Sequence, residues 1–273
     1  MNLTERKMVD VLTDLKENHH VIGIKAEFEA EGTRMEEALR LKEVCMKAGL
    51  GITLKIGGCE AIRDMYESRV IGVERIVAPM IESAYALKKF LLATNLVFPE
   101  DEKVDLKFAV NIETVDGVSA FDKMLALPEL PALHGIVMGR VDLTGSLGSF
   151  REDTNSQRVL EITRTLFIKA KANNLECAVG GGVSAYSLPF FRSLGTLIDR
   201  YETRKVIFLC PEAVGDKGGD GILKAVGFEL LWLKNKRDYY GLIFKEDAER
   251  IMMLENRYKD MIEKAGGKYP AEY

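Results

Sequence analysis

Histidine is scarce: His19, His20 and His134 are the only three in 273 residues. Cysteine is sparse and scattered, with Cys45, Cys59, Cys177 and Cys210 far apart and no CxxC pair. That spacing excludes a zinc knuckle and a disulfide framework and fits a reducing compartment, so the expected location is cytoplasmic. Cys210, ahead of Pro211, reads as a buried structural cysteine in preference to a reactive thiol. No apolar run approaches the roughly 18 residues of a membrane helix. The opening MNLTERKMVDVLTDLKENHH is charged throughout and has no signal-peptide core. Neither sign of charge dominates: 38 Lys+Arg against 42 Asp+Glu give −4, mixed along the chain. A basic face for nucleic acid is therefore not expected. GxGxxG does not follow the first strand, and GDKGGDG (215–221) lacks the GxxxxGK(S/T) of a phosphate loop. That segment reads as a mobile loop, either a lid over a site or a surface turn.

What is present is a strand–helix alternation without a linker. An opening helix over 3–18 carries Met8, Val11, Leu12 and Leu15 on one face. Strands are predicted at 21–28, 52–56, 75–80, 106–113, 135–142, 175–180 and 196–208. Amphipathic helices fit between them at 33–48, 59–70, 82–94, 115–126, 154–173 and 184–194, with Gly49, Gly72 and Gly195 at the returns. This pattern predicts one α/β domain, a TIM (β/α)8-type barrel. Seven strands are evident; the eighth is sought in FELLWL (228–233), which reads equally as helix, or near the N-terminus. The expected division is an N-terminal helix over 1–20, a barrel over 21–245, and a C-terminal helix and tail over 246–273. Ile251, Leu254, Tyr258 and Ile262 lie on one side of that helix.

Buried parallel strands should be hydrophobic throughout, and these are not. Lys25, Glu27 and Glu29 alternate with Ile24, Ala26 and Phe28. Thr53 and Lys55 alternate with Ile52, Leu54 and Ile56, and Asn111 and Glu113 with Val110 and Ile112. Arg200, Glu202 and Arg204 share one face of the last strand. Period-two alternation sends the apolar set toward the helices and the polar set inside the barrel. Charges there must pair, bind an ion or reach the open end. Closure sets the first strand beside the last, predicting pairs of Lys25, Glu27 and Glu29 with Arg200 and Arg204.

Glu113 and Asp142 each end a predicted strand, 29 residues apart, one βα unit. Side by side they suit a hard divalent cation; separately, each would only cap the helix that follows. Gly139, Gly145 and Gly148 around Asp142 suit either a backbone nest for a ligand or an ordinary turn.

Through TLKIGG, IVAPMIES, NIET and GRVDLTGSLG, in that order over about 24–148, the sequence resembles the HpcH/HpaI aldolase and citrate lyase β family of pyruvate/phosphoenolpyruvate barrels. The resemblance implies that Glu113 and Asp142 are metal ligands for Mg²⁺, Mn²⁺ or Co²⁺. It sets Lys55 where the family has an arginine on the keto-acid oxygen, and Asn111 where glutamine is frequent. Two positions depart from the pattern. Glu27-Phe28 replaces a Glu-His step whose histidine assists proton transfer, and Arg140 replaces a small residue or proline ahead of the metal aspartate.

The function so implied is a class II-type, metal-dependent carbon–carbon lyase acting on a 2-keto acid such as pyruvate or oxaloacetate, with an aldehyde or acyl partner. Lys55 would add positive charge at the developing oxyanion, a Schiff base being its competing use. Glu27 is the candidate base, with a metal-bound water as the alternative, or else it is an internal ion-pair partner. Asn111 and Gly139 would contact substrate, and Arg140, Arg200 and Arg204 would hold its second carboxylate or phosphate. A citrate-lyase-like enzyme for acyl thioesters and a non-catalytic ligand-binding barrel are the alternatives. Terminal helices in the resembling family reach neighbours, so a homo-oligomer, trimer or hexamer, is expected.

Overall fold

The computed structural model describes residues 1–267. Eight strands close into one barrel in chain order: β1 (Val21–Glu27), β2 (Gly51–Lys55), β3 (Arg75–Ala78), β4 (Lys107–Ile112), β5 (Gly135–Gly139), β6 (Glu176–Gly180), β7 (Arg200–Glu202) and β8 (Val206–Leu209). The α-helices are α1 (Leu3–His19), α2 (Met35–Lys47), α3 (Ile62–Ile71), α4 (Ala84–Val97), α5 (Glu100–Lys103), α6 (Val115–Leu125), α7 (Arg140–Ser146), α8 (Gln157–Ala172), α9 (Leu188–Leu194) and α10 (Gly218–Lys264). Two compact units result, 1–229 and the segment from Leu230 onward. No helix among the described residues is long and apolar enough to cross a membrane.

Strands β1 to β7 run parallel, each paired with the next. Strand β8 is antiparallel to both β7 and β1. The eighth strand is therefore neither FELLWL, which is helical within α10, nor an N-terminal segment. It lies inside the predicted 196–208 strand, which folds back on itself. Thr203 closes the reversal: its N–H donates to Val206 O at 2.9 Å, and Val206 N–H donates to its Oγ1 at 3.0 Å. Arg204 and Lys205 form the tip.

Alternation sorts the strands as expected. Ile24, Leu54, Ile76, Val110, Met138 and Val179 are buried toward the helices, where Leu12, Leu41, Phe90, Phe121 and Phe167 are also buried. Tyr201, on the outer face of β7, stacks between Phe191 and Phe208 with ring centroids 4.7 Å from each. Inside, Val77, Ala109, Val137 and Ala178 form a small apolar layer. At 25 cal/mol per Å² such burial is the main stabilising term of a core, and charged side chains lie on either side of this layer.

Local signals set the element ends. Asn2 and Glu5 form a capping box for α1, and Ser83, Thr114 and Ser156 cap α4, α6 and α8. Gly49, Gly72 and Gly195 all have positive φ at the returns. The GDKGGDG segment is not a free loop: α10 starts at Gly218, and a Cβ on Gly218 would stand 2.7 Å from Ala213 O. Close packing of this backbone removes the lid reading. The C-terminal helix accordingly begins well before residue 246, and the expected tail over 268–273 lies outside the described residues.

Candidate active site

The C-terminal ends of the strands surround a cavity of about 470 Å³, within the range of small-molecule sites. It is lined by Lys25 and Glu27 of β1, Lys55 of β2, Asn111 of β4, Gly139 of β5 and Glu202 of β7, together with Glu113, Asp142 and Arg204. Glu29, Arg151, Gly181 and Glu229 complete its charged and glycine-lined rim.

One wall is a chain of alternating charge. Glu202 Oε1 lies 2.9 Å from Lys25 Nζ, which is 3.0 Å from Glu27 Oε1. Lys55 Nζ is 3.7 Å from the same Glu27 oxygen and 2.7 Å from Glu29 Oε2. Register explains the order, because Glu27 pairs with Lys55 across β1 and β2. Burial works against the Lys25 ammonium, but Glu202 and Glu27 outweigh it and hold its pKa above the ordinary value. Lys55 is likewise raised, burial being overcome by Glu27 and Glu29. Burial would raise Glu27, yet Lys25 and Lys55 hold it below the usual carboxylate range. The partners predicted for Lys25, Glu27 and Glu29 are thus corrected: the lysines of neighbouring strands, with Glu202, replace Arg200 and Arg204.

Across the mouth stand Glu113 and Asp142. Glu113 is 3 % exposed. Its Oε1 accepts from Met80 N–H at 2.9 Å and its Oε2 from Asn111 Nδ2 at 2.9 Å. Burial pushes its pKa up, Asp142 adds to the rise, and the Met80 N–H and Lys55 oppose it. Helix α6 is capped by Thr114 and not by Glu113. Asp142 does not end a strand: β5 stops at Gly139, and Asp142 sits in the first turn of α7, its carboxylate without a hydrogen bond or ion pair among the described residues. Every other acid lining the mouth, Glu27, Glu29, Glu202 and Glu229, has a cation within 4 Å; among the described residues Glu113 and Asp142 have none.

These two carboxylates fit a hard cation, which takes oxygen donors and commonly one or two carboxylates. Asn111 adds a third oxygen: its Oδ1 is buried without a hydrogen-bond partner, while its amide N–H fixes Glu113. No group of three or more His, Cys, Asp or Glu capable of holding a metal occurs among the described residues. Gly139 makes the cradle, because a Cβ on it would stand 2.2 Å from Glu113 Oε2. Gly145 and Gly148 do not line the cavity; Gly148, at φ 68°, follows the end of α7 as an ordinary turn residue.

Two predicted anion-binding arginines are elsewhere. Arg140 is wholly buried and absent from the cavity lining. Its guanidinium donates to Gly180 O at 3.2 Å, Gly181 O at 2.8 Å and Asn155 Oδ1 at 2.6 Å, and stands 4.9 Å from the Phe190 ring centroid. Without a carboxylate beside it, burial pushes its pKa down to about 9. It ties the loop after β6 to α7, whose Val141 N would be 2.7 Å from a Cβ on Gly181. Arg200 begins β7 at the opposite, closed end of the barrel, where it pairs with Glu176. Arg204 does reach the mouth, half-exposed, with Glu31 at 3.8 Å and Glu229 at 3.9 Å.

Sequence reasoning missed Met80 and Arg151. Met80 acts through its backbone, held at φ 50°, a left-handed conformation unfavourable by about 1–2 kcal/mol for a residue with a Cβ. IVAPMIES contains it, but residue type carries no trace of an N–H aimed at Glu113. Arg151 is exposed at the rim without an ion-pair partner among the described residues; it begins a short 3-10 helix between α7 and α8, and only its place in the β5-to-α8 connection would single it out.

No protein-family model matches the sequence, and comparison with curated proteins finds no match. Solved structures do match. Citrate synthase SbnG superposes with a TM-score of 0.57 at 16 % identity, over 85 % of this chain and 90 % of that one. An HpcH/HpaI aldolase/citrate lyase family protein from Burkholderia cenocepacia J2315 gives a TM-score of 0.54 at 13 % identity, over 71 % and 92 %. The chain thus has the α/β-barrel fold seen in the family its motifs resemble.

Proposed function

We propose that the protein is a metal-dependent carbon–carbon lyase acting on a 2-keto acid. The observation that carries this reading is the pair Glu113 and Asp142, the two mouth carboxylates with no cation within ion-pairing distance among the described residues. Glu113 and Asp142 would hold a divalent cation, whose chemistry when bound would be Lewis-acid charge for a keto-acid oxygen. Met80 N–H and Asn111 Nδ2 fix the Glu113 carboxylate, and Arg140 steadies the backbone that carries Asp142.

Lys55 is a charged ammonium at neutral pH, its pKa raised by Glu27 and Glu29. It favours negative charge on an oxygen when a neighbouring carbon–carbon bond breaks or forms. A Schiff base would need a neutral amine, which those two glutamates oppose. Glu27 is ionised, as a proton acceptor must be, although the two lysines weaken its basicity. Arg151 and Arg204, in place of Arg140 and Arg200, would meet a second anionic group of the substrate.

The test is deuterium exchange of the pyruvate methyl protons in D₂O, followed by NMR with and without Mg²⁺, in the wild type, Asp142→Asn and Glu113→Gln. Metal-dependent exchange that falls at least 100-fold in both variants is the expected result. Exchange that persists in both, or none despite saturable metal binding, overturns the reading.

A further inference from the structure

The barrel has a second charged chamber, at the end opposite the mouth. A cavity of about 250 Å³ opens among Gly23, Gly51, Thr53, Arg75, Lys107 and Arg200, at the closed end of the barrel beyond the Val77 layer. Gly23 and Gly51 give the space by having no side chains. Thr53 and Arg200 also line a small interior void that extends to Val137.

Its cations outnumber their partners. Arg75 is 8 % exposed, and the Arg200 side chain 12 %. Both guanidinium groups converge on one oxygen of Glu176, with Arg75 Nη2 at 2.6 Å, and Lys107 Nζ takes the other oxygen at 2.6 Å. One carboxylate serves three cations. A guanidinium has five N–H donors, and Glu176 is the one hydrogen-bond partner of either arginine among the described residues. Glu74 and Asp105 also line the cavity; both are exposed and neither forms an ion pair within 4 Å among the described residues.

The cations act on their neighbours, while Glu202, which lines the adjoining void, opposes the effect of burial on Arg75 and Arg200. Lys107 is pushed down by burial and then by Arg75 and Arg200. His134 is pushed down by burial and then by Arg75 and Lys107. Two largely buried guanidinium groups that share one carboxylate keep N–H donors without a protein partner among the described residues, and paired guanidinium forks match a tetrahedral or planar oxyanion. Cavities that hold drug-sized ligands measure about 300–1,000 Å³, so this chamber suits a smaller one.

We propose that the closed-end cavity binds a small oxyanion, a free phosphate or the phosphate group of a small phosphomonoester, through Arg75, Arg200 and Lys107. The site is separate from the mouth and holds whether or not the mouth performs the proposed reaction.

The test is calorimetric titration of the full chain with inorganic phosphate, and separately with glycerol 3-phosphate, at constant ionic strength in phosphate-free buffer. Lys107→Gln and Glu74→Gln alter exposed side chains, so both variants should fold. Saturable binding of one equivalent is expected, weakened roughly fivefold by Lys107→Gln and tightened roughly threefold by Glu74→Gln. Arg204→Gln, at the mouth, should leave it unchanged. Tighter binding of glycerol 3-phosphate than of phosphate identifies a phosphomonoester as the ligand, and the reverse a free ion. No saturable binding overturns the proposal. So does affinity insensitive to Lys107 and Glu74, or loss of binding in Arg204→Gln.

Discussion

Gly139 occupies the position from which any side chain would strike Glu113. A Cβ there would lie 2.2 Å from Oε2 and 2.7 Å from the Glu113 Cβ, so the whole glutamate side chain, and not its tip alone, would have to move. Gly139→Ala should therefore fold but lose divalent-metal affinity by tenfold or more, as displaced ligands do. Titration of Mn²⁺ by electron paramagnetic resonance measures this directly; unchanged affinity would remove the cradle from the account.

Lys25 joins two buried carboxylates, Glu27 and Glu202. Lys25→Met should cost about 3 kcal/mol at pH 7, because it leaves two buried carboxylates without the ammonium that bridges them. Glu27 is held below its ordinary 4.5, so its pairing contributes fully above that value and is lost as pH falls through the lowered one. Urea melts should show the variant's deficit constant from pH 6 to 8 and shrinking below about pH 4.

Arg140 holds carbonyls of the loop after β6 with a planar fork that lysine cannot reproduce. Arg140→Lys should destabilise by about 2–4 kcal/mol. In the folded fraction it should lower the exchange rate through the misplacement of Asp142, with the affinity for pyruvate nearly kept. Equal losses in rate and affinity would speak for general damage instead.

Burial pushes the thiols of Cys45, Cys177 and Cys210 up to about 12, whereas Cys59 is half-exposed. Iodoacetamide at pH 7.5 should label Cys59 alone in the native protein and all four thiols in denaturant, as read by peptide mass spectrometry.

The second unit, from Leu230 onward, exposes Phe244, Ile251, Leu254 and Tyr258 of α10, by 75 %, 55 %, 54 % and 48 %. Their spacing of seven, three and four is that of a coiled-coil seam. Sedimentation should find a homo-oligomer that Ile251→Glu with Leu254→Glu dissociates; a monomeric wild type would end that reading.

How far the molecule was legible depended on whether side-chain type carried the information. Alternation in VIGIKAE, GITLK and KFAVNI announced a barrel with a charged lining, because period two maps directly onto the two faces of a strand. The reversal at Arg204–Lys205 was invisible: it uses neither glycine nor asparagine, so two strands read as one. Asp142 was misplaced by three residues' worth of helix, since α7 starts directly after Gly139 without a loop. The charge of Arg140 and Arg200 alone points to ligand contacts, but one serves buried carbonyls and the other the closed end. Met80 was hidden because its contribution is a peptide N–H.

The reversed β8 also removes rotational equivalence from the barrel. Seven strands follow one direction and the eighth opposes it, so no operation about the barrel axis carries the first four strands onto the last four. The molecule cannot be treated as two interchangeable halves. Its mouth is assembled from βα loops at most positions and from a two-residue hairpin tip at one. Grafting longer loops is thereby open at the former positions, while at Arg204 and Lys205 any insertion would act on the strand pairing that closes the circle.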